Sequence, residues 1–136
     1  MIQSMSIRSL TTGALAAAAT LLFATSFAQD GAGRTELSRL NLAGAENTEV
    51  IMAELELPPG ASVPRHFHHG EEYLYVVQGG TVETRDGEVV TFEPGQSLHF
   101  KREEVHGGFT ATGSSVLKVV TVHIVDKNKP LYVNVE

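Results

Sequence analysis

The sequence predicts one all-β domain, either a β-sandwich or a closed barrel. From residue 35 onward, short runs rich in Val, Thr, Leu and Phe alternate with turn-forming residues at close intervals. After the first 28 residues, no stretch of ten or more shows a convincing helical pattern. Many short strands separated by tight turns are typical of sandwiches and barrels. The length of 136 residues is that of a single domain.

Strands are predicted wherever a run of β-forming residues is bounded by residues that interrupt a ladder. Pro58-Pro59-Gly60 ends the first run because proline has no amide hydrogen to donate. Asp86-Gly87 suits a two-residue hairpin loop, and Pro94-Gly95 and Thr112-Gly113 suit turns. The predicted strands are residues 48–57, 62–67, 72–78, 81–85, 88–92, 96–100, 107–111 and 115–125.

The first 28 residues are typical of a secretory signal. Arg8 lies in a short basic region, an acid-free apolar run follows it, and Ser26-Phe27-Ala28 fits the small-x-small rule of signal peptidase. A membrane anchor is the alternative, but the run is short, rich in Ala and Thr, and lacks a basic flank. We therefore expect a signal peptide at 1–28 and a periplasmic or secreted protein. Its parts are an N-terminal segment (29–47), a barrel domain (48–125) and a C-terminal strand or tail (126–136).

Composition excludes several classes of function. Without the signal, the chain has nine basic and sixteen acidic residues, which gives a net charge of −7. This balance provides no basic surface for nucleic acid and little attraction to anionic lipid, so we expect no nucleic-acid partner and no membrane association after cleavage. The absence of cysteine excludes disulfides, thiolate metal sites and cysteine nucleophiles.

Residues 60–79 contain side chains suited to a metal ion. His66 and His68 are two residues apart, so on a strand they point to the same face. Glu72 is in phase with the apolar Leu74 and Val76, which predicts a carboxylate directed into the core. A buried charge of this kind is costly unless it is paired or binds a metal.

The same reasoning predicts a fourth ligand and restricts the metal to a group of divalent ions. Glu71 is the rival carboxylate, but it is out of phase with the apolar face, so parity favours Glu72. His106 follows a strand and a polar turn that can return it to the same cavity. Imidazole and carboxylate ligands together suit one divalent Fe, Mn, Ni, Cu or Zn ion.

This segment resembles the first motif of the cupin superfamily, G-x5-H-x-H-x3-E-x6-G. The matching positions are Gly60, His66, His68, Glu72 and Gly79. The resemblance covers about residues 48–125 and implies a double-stranded β-helix (jelly-roll) barrel, in agreement with the strand pattern. It also implies one divalent metal bound by His66, His68, Glu72 and His106.

A second, looser motif of the family is also present. Pro94-Gly95 matches its opening turn, and His106 falls eleven residues after that glycine. The sequence departs from the family pattern at residues 101–104, a charged run in place of a turn with Pro and Gly, and at Thr110, in place of Asn. These departures bear on the mouth of the cavity more than on the ligands. The run 101–104 is either a solvated loop or a lid over the site.

Three further histidines and two tyrosines have open roles. His69 is out of phase with the predicted ligands and is expected at the rim. His99 and His123 lie in strand patterns, each either a core or interface residue or an outer partner or general base near the metal. Tyr73 and Tyr75 are expected to pack on the outer sheet face, with a substrate or dimer contact as the alternative.

The resemblance implies a broad range of functions, because small cupins include dioxygenases, isomerases, lyases, decarboxylases and ligand-binding proteins. The first hypothesis is a metal-dependent dioxygenase-like oxidoreductase on a small oxygen-rich or aromatic substrate. The second is a non-redox isomerase or lyase, in which His99 or His123 moves a proton. The third is a periplasmic ligand- or metal-binding protein without turnover. Four protein ligands leave open positions on a six-coordinate metal, which favours an enzyme.

The expected assembly is a homodimer. Cupins of this size resemble dimer-forming proteins, and residues 130–135 alternate as a strand that could pair with a second subunit. The alternative is an edge strand on the chain's own barrel.

Overall fold

Within residues 31–136, which this computed structural model describes, the chain forms eleven β-strands and no helix. The predicted signal peptide, residues 1–28, lies outside the described residues. The strands are β1 (Gly33–Asn41), β2 (Thr48–Leu57), β3 (Ser62–Val63), β4 (His66–Phe67), β5 (Gly70–Gln78), β6 (Gly80–Thr84), β7 (Val89–Phe92), β8 (Ser97–Phe100), β9 (Phe109–Thr112), β10 (Leu117–Asp126) and β11 (Val133–Asn134). No described helix is long and apolar enough to cross a membrane.

The strands form antiparallel sheets that enclose one core. The larger sheet has the order β1-β2-β10-β5-β8, the smaller sheet has the order β3-β9-β6-β7, and β4 pairs with β11. Inward side chains of the two sheets meet in an apolar cluster that includes Leu57, Val76, Val82 and Leu117. This arrangement is a double-stranded β-helix, so the predicted jelly-roll fold is confirmed.

Strand β10 determines which side of the larger sheet faces inward. Its burial alternates strictly, and Val119, Thr121, His123 and Val125 are buried while the intervening residues are half-buried. His123 pairs in register with Ile51 of β2 and with Glu72 of β5. The buried polar side chains of His123 and Glu72 are therefore neighbours on the inner face of the larger sheet.

Two predicted elements differ from the observed strands. The predicted strand 62–67 is divided into β3 and β4 around Pro64, because proline cannot donate to the ladder. Strand β1, within the predicted N-terminal segment, was not predicted, although it pairs with β2 along its whole length. It is an edge strand with mostly exposed residues, so it lacks the apolar alternation that marks a strand in sequence.

The tail pairs with its own barrel. Val133 and Asn134 of β11 lie opposite Phe67 and His66 of β4, and the amide of Val135 donates to the Arg65 carbonyl oxygen at 2.9 Å. Of the two roles considered for this segment, the structure has the edge strand on the same chain.

Candidate metal centre

The structure brings the four predicted ligands together. One potential ligand atom from each of His66, His68, Glu72 and His106 lies within 4.8 Å of the others. His66 is on β4, His68 follows it, Glu72 is on β5, and His106 lies between β8 and β9. His66, His68 and Glu72 are each no more than 5% exposed, in accordance with the inward orientation predicted for Glu72.

Backbone carbonyls fix the three imidazole rings. The Nδ1 atoms of His66 and His106 lie 2.8 Å from the carbonyl oxygens of Pro64 and Glu104, and Nδ1 of His68 contacts that of Leu131. A carbonyl oxygen only accepts, so each Nδ1 donates its hydrogen. The neutral rings therefore keep the lone pair on Nε2, as metal-binding histidines do.

The contacts of Glu72 test whether this cluster suits a cation. Its Oε2 lies 2.9 Å from Nε2 of both His68 and His106. In the neutral tautomer set by the carbonyls, these contacts place nitrogen lone pairs against a carboxylate oxygen, which is repulsive unless a proton or a cation is shared among them. Three imidazoles and one carboxylate are a suitable donor set for a divalent transition metal. The residues present therefore fit one such ion.

The electrostatics of the cluster keep the carboxylate charged. Burial would raise the pKa of Glu72, but protons shared with Nε2 of His106 and His68 hold it well below its usual range. Burial also acts to lower the pKa of His106, yet contact with Glu72 and the Glu104 carbonyl raises it. The pKa of His66 is lowered to about 4, mainly by burial, so its ring is neutral at physiological pH.

Of the three remaining histidines, only His123 lies beside the cluster. It is 0% exposed, its Nε2 lies 3.6 Å from Oε1 of Glu72, and neither ring nitrogen has a hydrogen-bond partner among residues 31–136. Burial lowers its pKa to about 4. His99 lies on the outer face, where it stacks on Tyr73 with ring centroids 4.4 Å apart. His69 lies 3.6 Å from a carboxylate oxygen of Glu103, at the rim.

The charged run 101–104 is a solvated turn, exposed along its whole length. The amide of Glu103 donates to the His68 carbonyl oxygen at 3.0 Å, and the Arg102 guanidinium pairs with both carboxylate oxygens of Asp126 at 2.8 and 2.9 Å. Glu103 adopts a left-handed φ of 61°. The segment just before His106 therefore contacts both β10 and the candidate ligand His68.

A cavity of about 430 Å³ lies against the cluster. Its walls are mainly apolar and include Leu55, Leu74, Phe92, Leu98, Phe109 and Val119. Phe100 also lines it and stacks on the His106 ring at a centroid distance of 4.1 Å. His66, Glu72 and His106 line the same cavity, so an apolar molecule in it would contact the candidate metal centre.

Sequence reasoning missed two polar residues of this cavity, Arg34 and Tyr132. The Tyr132 ring lies 5.0 Å from that of His66 and 5.2 Å from that of His68, measured between centroids. Tyr132 lies in the tail, and the neighbouring Leu131 carbonyl orients His68. No sequence motif marks either residue. The only signal for Arg34 is weak: it lies two residues before Glu36, so on an edge strand the two side chains share the inward face.

Comparison with known proteins identifies the family. The Cupin domain model matches residues 53–123, just over half of the chain. The tetracenomycin polyketide synthase protein TcmJ of Streptomyces glaucescens is 35% identical over 60 residues, which span 43% of this chain and 40% of that protein. The match thus covers less than half the length of that relative.

Solved structures show the same fold. The polyketide cyclase RemF from Streptomyces resistomycificus is 28% identical, with a TM-score of 0.56 over 77% of this chain and 71% of that one. An uncharacterised protein with a double-stranded β-helix domain from Klebsiella pneumoniae is 17% identical, with a TM-score of 0.58 over 82% of this chain and 90% of that one. The second likeness concerns the fold alone.

Proposed function

The chain belongs to the cupin domain family, and from this premise we propose that it is a metal-dependent enzyme acting on an apolar substrate that carries a carbonyl or hydroxyl oxygen. The observation that carries the proposal is the shared cavity: one space of about 430 Å³ is lined by aliphatic and aromatic side chains and by three of the four candidate ligands. A cavity of this size and lining accommodates a small ring system.

The proposed chemistry is non-redox activation of a carbonyl group. When bound, a divalent ion supplies a Lewis acid for a substrate oxygen. The three imidazoles and Glu72 would hold that ion, and the apolar walls would orient the substrate and exclude water. Of the two histidines considered for proton transfer, His123 lies within reach of the cluster, whereas His99 is on the outer face. The likeness to a polyketide cyclase supports carbon-skeleton chemistry of this kind.

A dioxygenase-like oxidoreductase is the second candidate. The observation that favours it is the donor set, because three imidazoles and a carboxylate also suit iron(II) and leave positions open for dioxygen. A metal- or ligand-binding protein without turnover is the third outcome of the test below.

The test begins with elemental analysis of protein expressed from the full-length sequence and purified without a metal-affinity tag. Each metal form is then incubated with 1-tetralone, a fused-ring ketone, in D2O. NMR follows exchange of the proton next to the carbonyl, and an electrode follows oxygen uptake. We expect exchange without oxygen uptake. Oxygen uptake with the iron form would favour the dioxygenase, and neither signal with any metal across a panel of ring ketones would favour a binding protein.

We further propose that the mature protein is exported and forms a homodimer. Export is supported by the features of residues 1–28, and cell fractionation tests it: the protein should be periplasmic or secreted and should start near residue 29. The dimer is supported by apolar side chains on the outer face of the larger sheet, and its test is described in the Discussion.

A further inference from the structure

We infer that Arg34 forms a carboxylate-binding subsite, bordered by Tyr132, in the same cavity as the candidate metal centre. The inference rests on the proposed function and narrows its substrate class to apolar molecules that carry an acidic group. It starts from an arginine that sequence reasoning did not single out and that the proposed chemistry does not use.

The guanidinium of Arg34 is buried with one edge unpaired. Its side chain is 6% exposed, and neither Nε nor Nη2 has a hydrogen-bond partner among residues 31–136. These two atoms form one edge of the planar group, and their hydrogens point in the same direction. Such an edge matches the two oxygens of a carboxylate.

The neighbouring carboxylate of Glu36 pairs with the charge of Arg34 but does not reach this edge. Oε2 of Glu36 lies 3.7 Å from Nη1, on the other side of the guanidinium. Both oxygens of Glu36 are also engaged at 3.0 Å by Arg39. Buried donors without an acceptor are costly, so an acceptor that reaches Nε and Nη2 would be bound favourably.

The fold places Arg34 in the wall of the cavity. Arg34 is on β1 opposite Leu55 of β2, and both residues line the cavity. Tyr132 lines it from the tail, with its ring against His66 and His68. Burial raises the pKa of Tyr132, and both the charge of Arg34 and a side-chain contact with it act against this rise, so the two side chains lie close together. A ligand in the cavity can therefore reach both Arg34 and the histidine cluster.

The test compares two ligands with the same ring in chelator-treated, metal-free protein at about pH 8, where imidazoles are neutral. Calorimetry measures the Kd of 2-naphthoate and of the uncharged 2-naphthalenemethanol. We expect the carboxylate to bind at least about tenfold more tightly, as for a charge-assisted hydrogen-bonded pair. Equal affinities in the wild type would overturn the inference without any variant, and binding of neither ring would count against the apolar cavity and the proposed function as well.

Variants test whether Arg34 causes the preference for 2-naphthoate over 2-naphthalenemethanol. Arg34→Met should reduce it to about twofold or less while the affinity for the alcohol stays unchanged, and Arg34→Lys should give an intermediate value because it keeps the charge but loses the fork. Arg65→Met is the matched control, since Arg65 is exposed and does not line this cavity. A preference that survives in folded Arg34→Met would place the carboxylate on the histidines and overturn the inference.

Discussion

The backbones of His66 and His106 exchange two hydrogen bonds, each 2.9 Å from nitrogen to oxygen, in an antiparallel bridge. This bridge fixes the relative position of two candidate ligands that are far apart in the sequence. The β4–β11 pair holds the other side of His66, and Phe100 stacks on the His106 ring. The backbone therefore organises the ligands without depending on the ion.

Removal of either bridged imidazole should abolish most metal binding. In His66→Ala and His106→Ala we expect the affinity to fall by more than about 100-fold, because loss of a hydrogen-bonding partner behind a ligand alone typically costs 10–100-fold. Equilibrium dialysis followed by elemental analysis gives the metal content per chain. His69→Ala is the control and should keep its metal. Full occupancy in His106→Ala would remove that residue from the ligand set.

A methyl group at Gly107 should disturb the centre without removing a ligand. Gly107 has φ +77°, and a Cβ atom there would lie 2.4 Å from the Pro64 carbonyl oxygen and 3.1 Å from Nδ1 of His66. That carbonyl is the acceptor that orients His66. Gly107→Ala should therefore lower the free energy of unfolding by about 1–3 kcal/mol and weaken metal binding.

Gly87→Ala separates backbone strain from this clash. Gly87 has a similar φ of +80°, but nothing lies within 4 Å of the position of a Cβ atom. It should lose stability through strain alone and keep its metal affinity. Equal metal affinity in the Gly87 and Gly107 variants would show that the contact with Pro64 has no role in ligand orientation.

The cluster of candidate ligands and the barrel were predictable because both depend on local rules. The two-residue period placed His66, His68 and Glu72 on inward faces, and turn chemistry marked most strand ends. Strand β1 and Arg34 were not predictable in this way, since an exposed edge strand has no apolar alternation. The pairing of the tail with β4 depends on three-dimensional proximity, which the alternating pattern of residues 130–135 leaves open.

The metal-free protein should lose stability as the pH falls. The pKa values of His66 and His123 are about 4 in the folded chain, against an ordinary value of 6.5. The unfolded chain therefore binds more protons between these values, and the free energy of unfolding falls as the pH decreases through this window. The raised pKa of His106 acts in the opposite direction, and its contribution is lost as the pH rises.

Urea unfolding of the metal-free protein at several pH values measures the net effect of these three histidines on the free energy of unfolding. Two lowered groups outweigh one raised group, so we expect a loss on the order of 1–3 kcal/mol between about pH 7 and pH 5. His123→Leu should make the dependence shallower, because it removes one of the two groups whose pKa is lowered. A stability that rises towards pH 5 would contradict the assigned directions.

The proposed homodimer should depend on the outer face of the larger sheet. Met52, Val122 and Tyr73 form one register row there, and Met52 and Tyr73 are 38% and 46% exposed. Burial of such a row against a second copy removes apolar surface from water, and a charge placed in it opposes association. We expect light scattering at micromolar concentration to give a dimer mass for the wild type and a monomer mass for Tyr73→Glu with its metal content intact. Val89→Glu, on the other sheet and 62% exposed, should stay dimeric. A monomeric wild type would refute the dimer, and a dimeric Tyr73→Glu would move the interface to another surface.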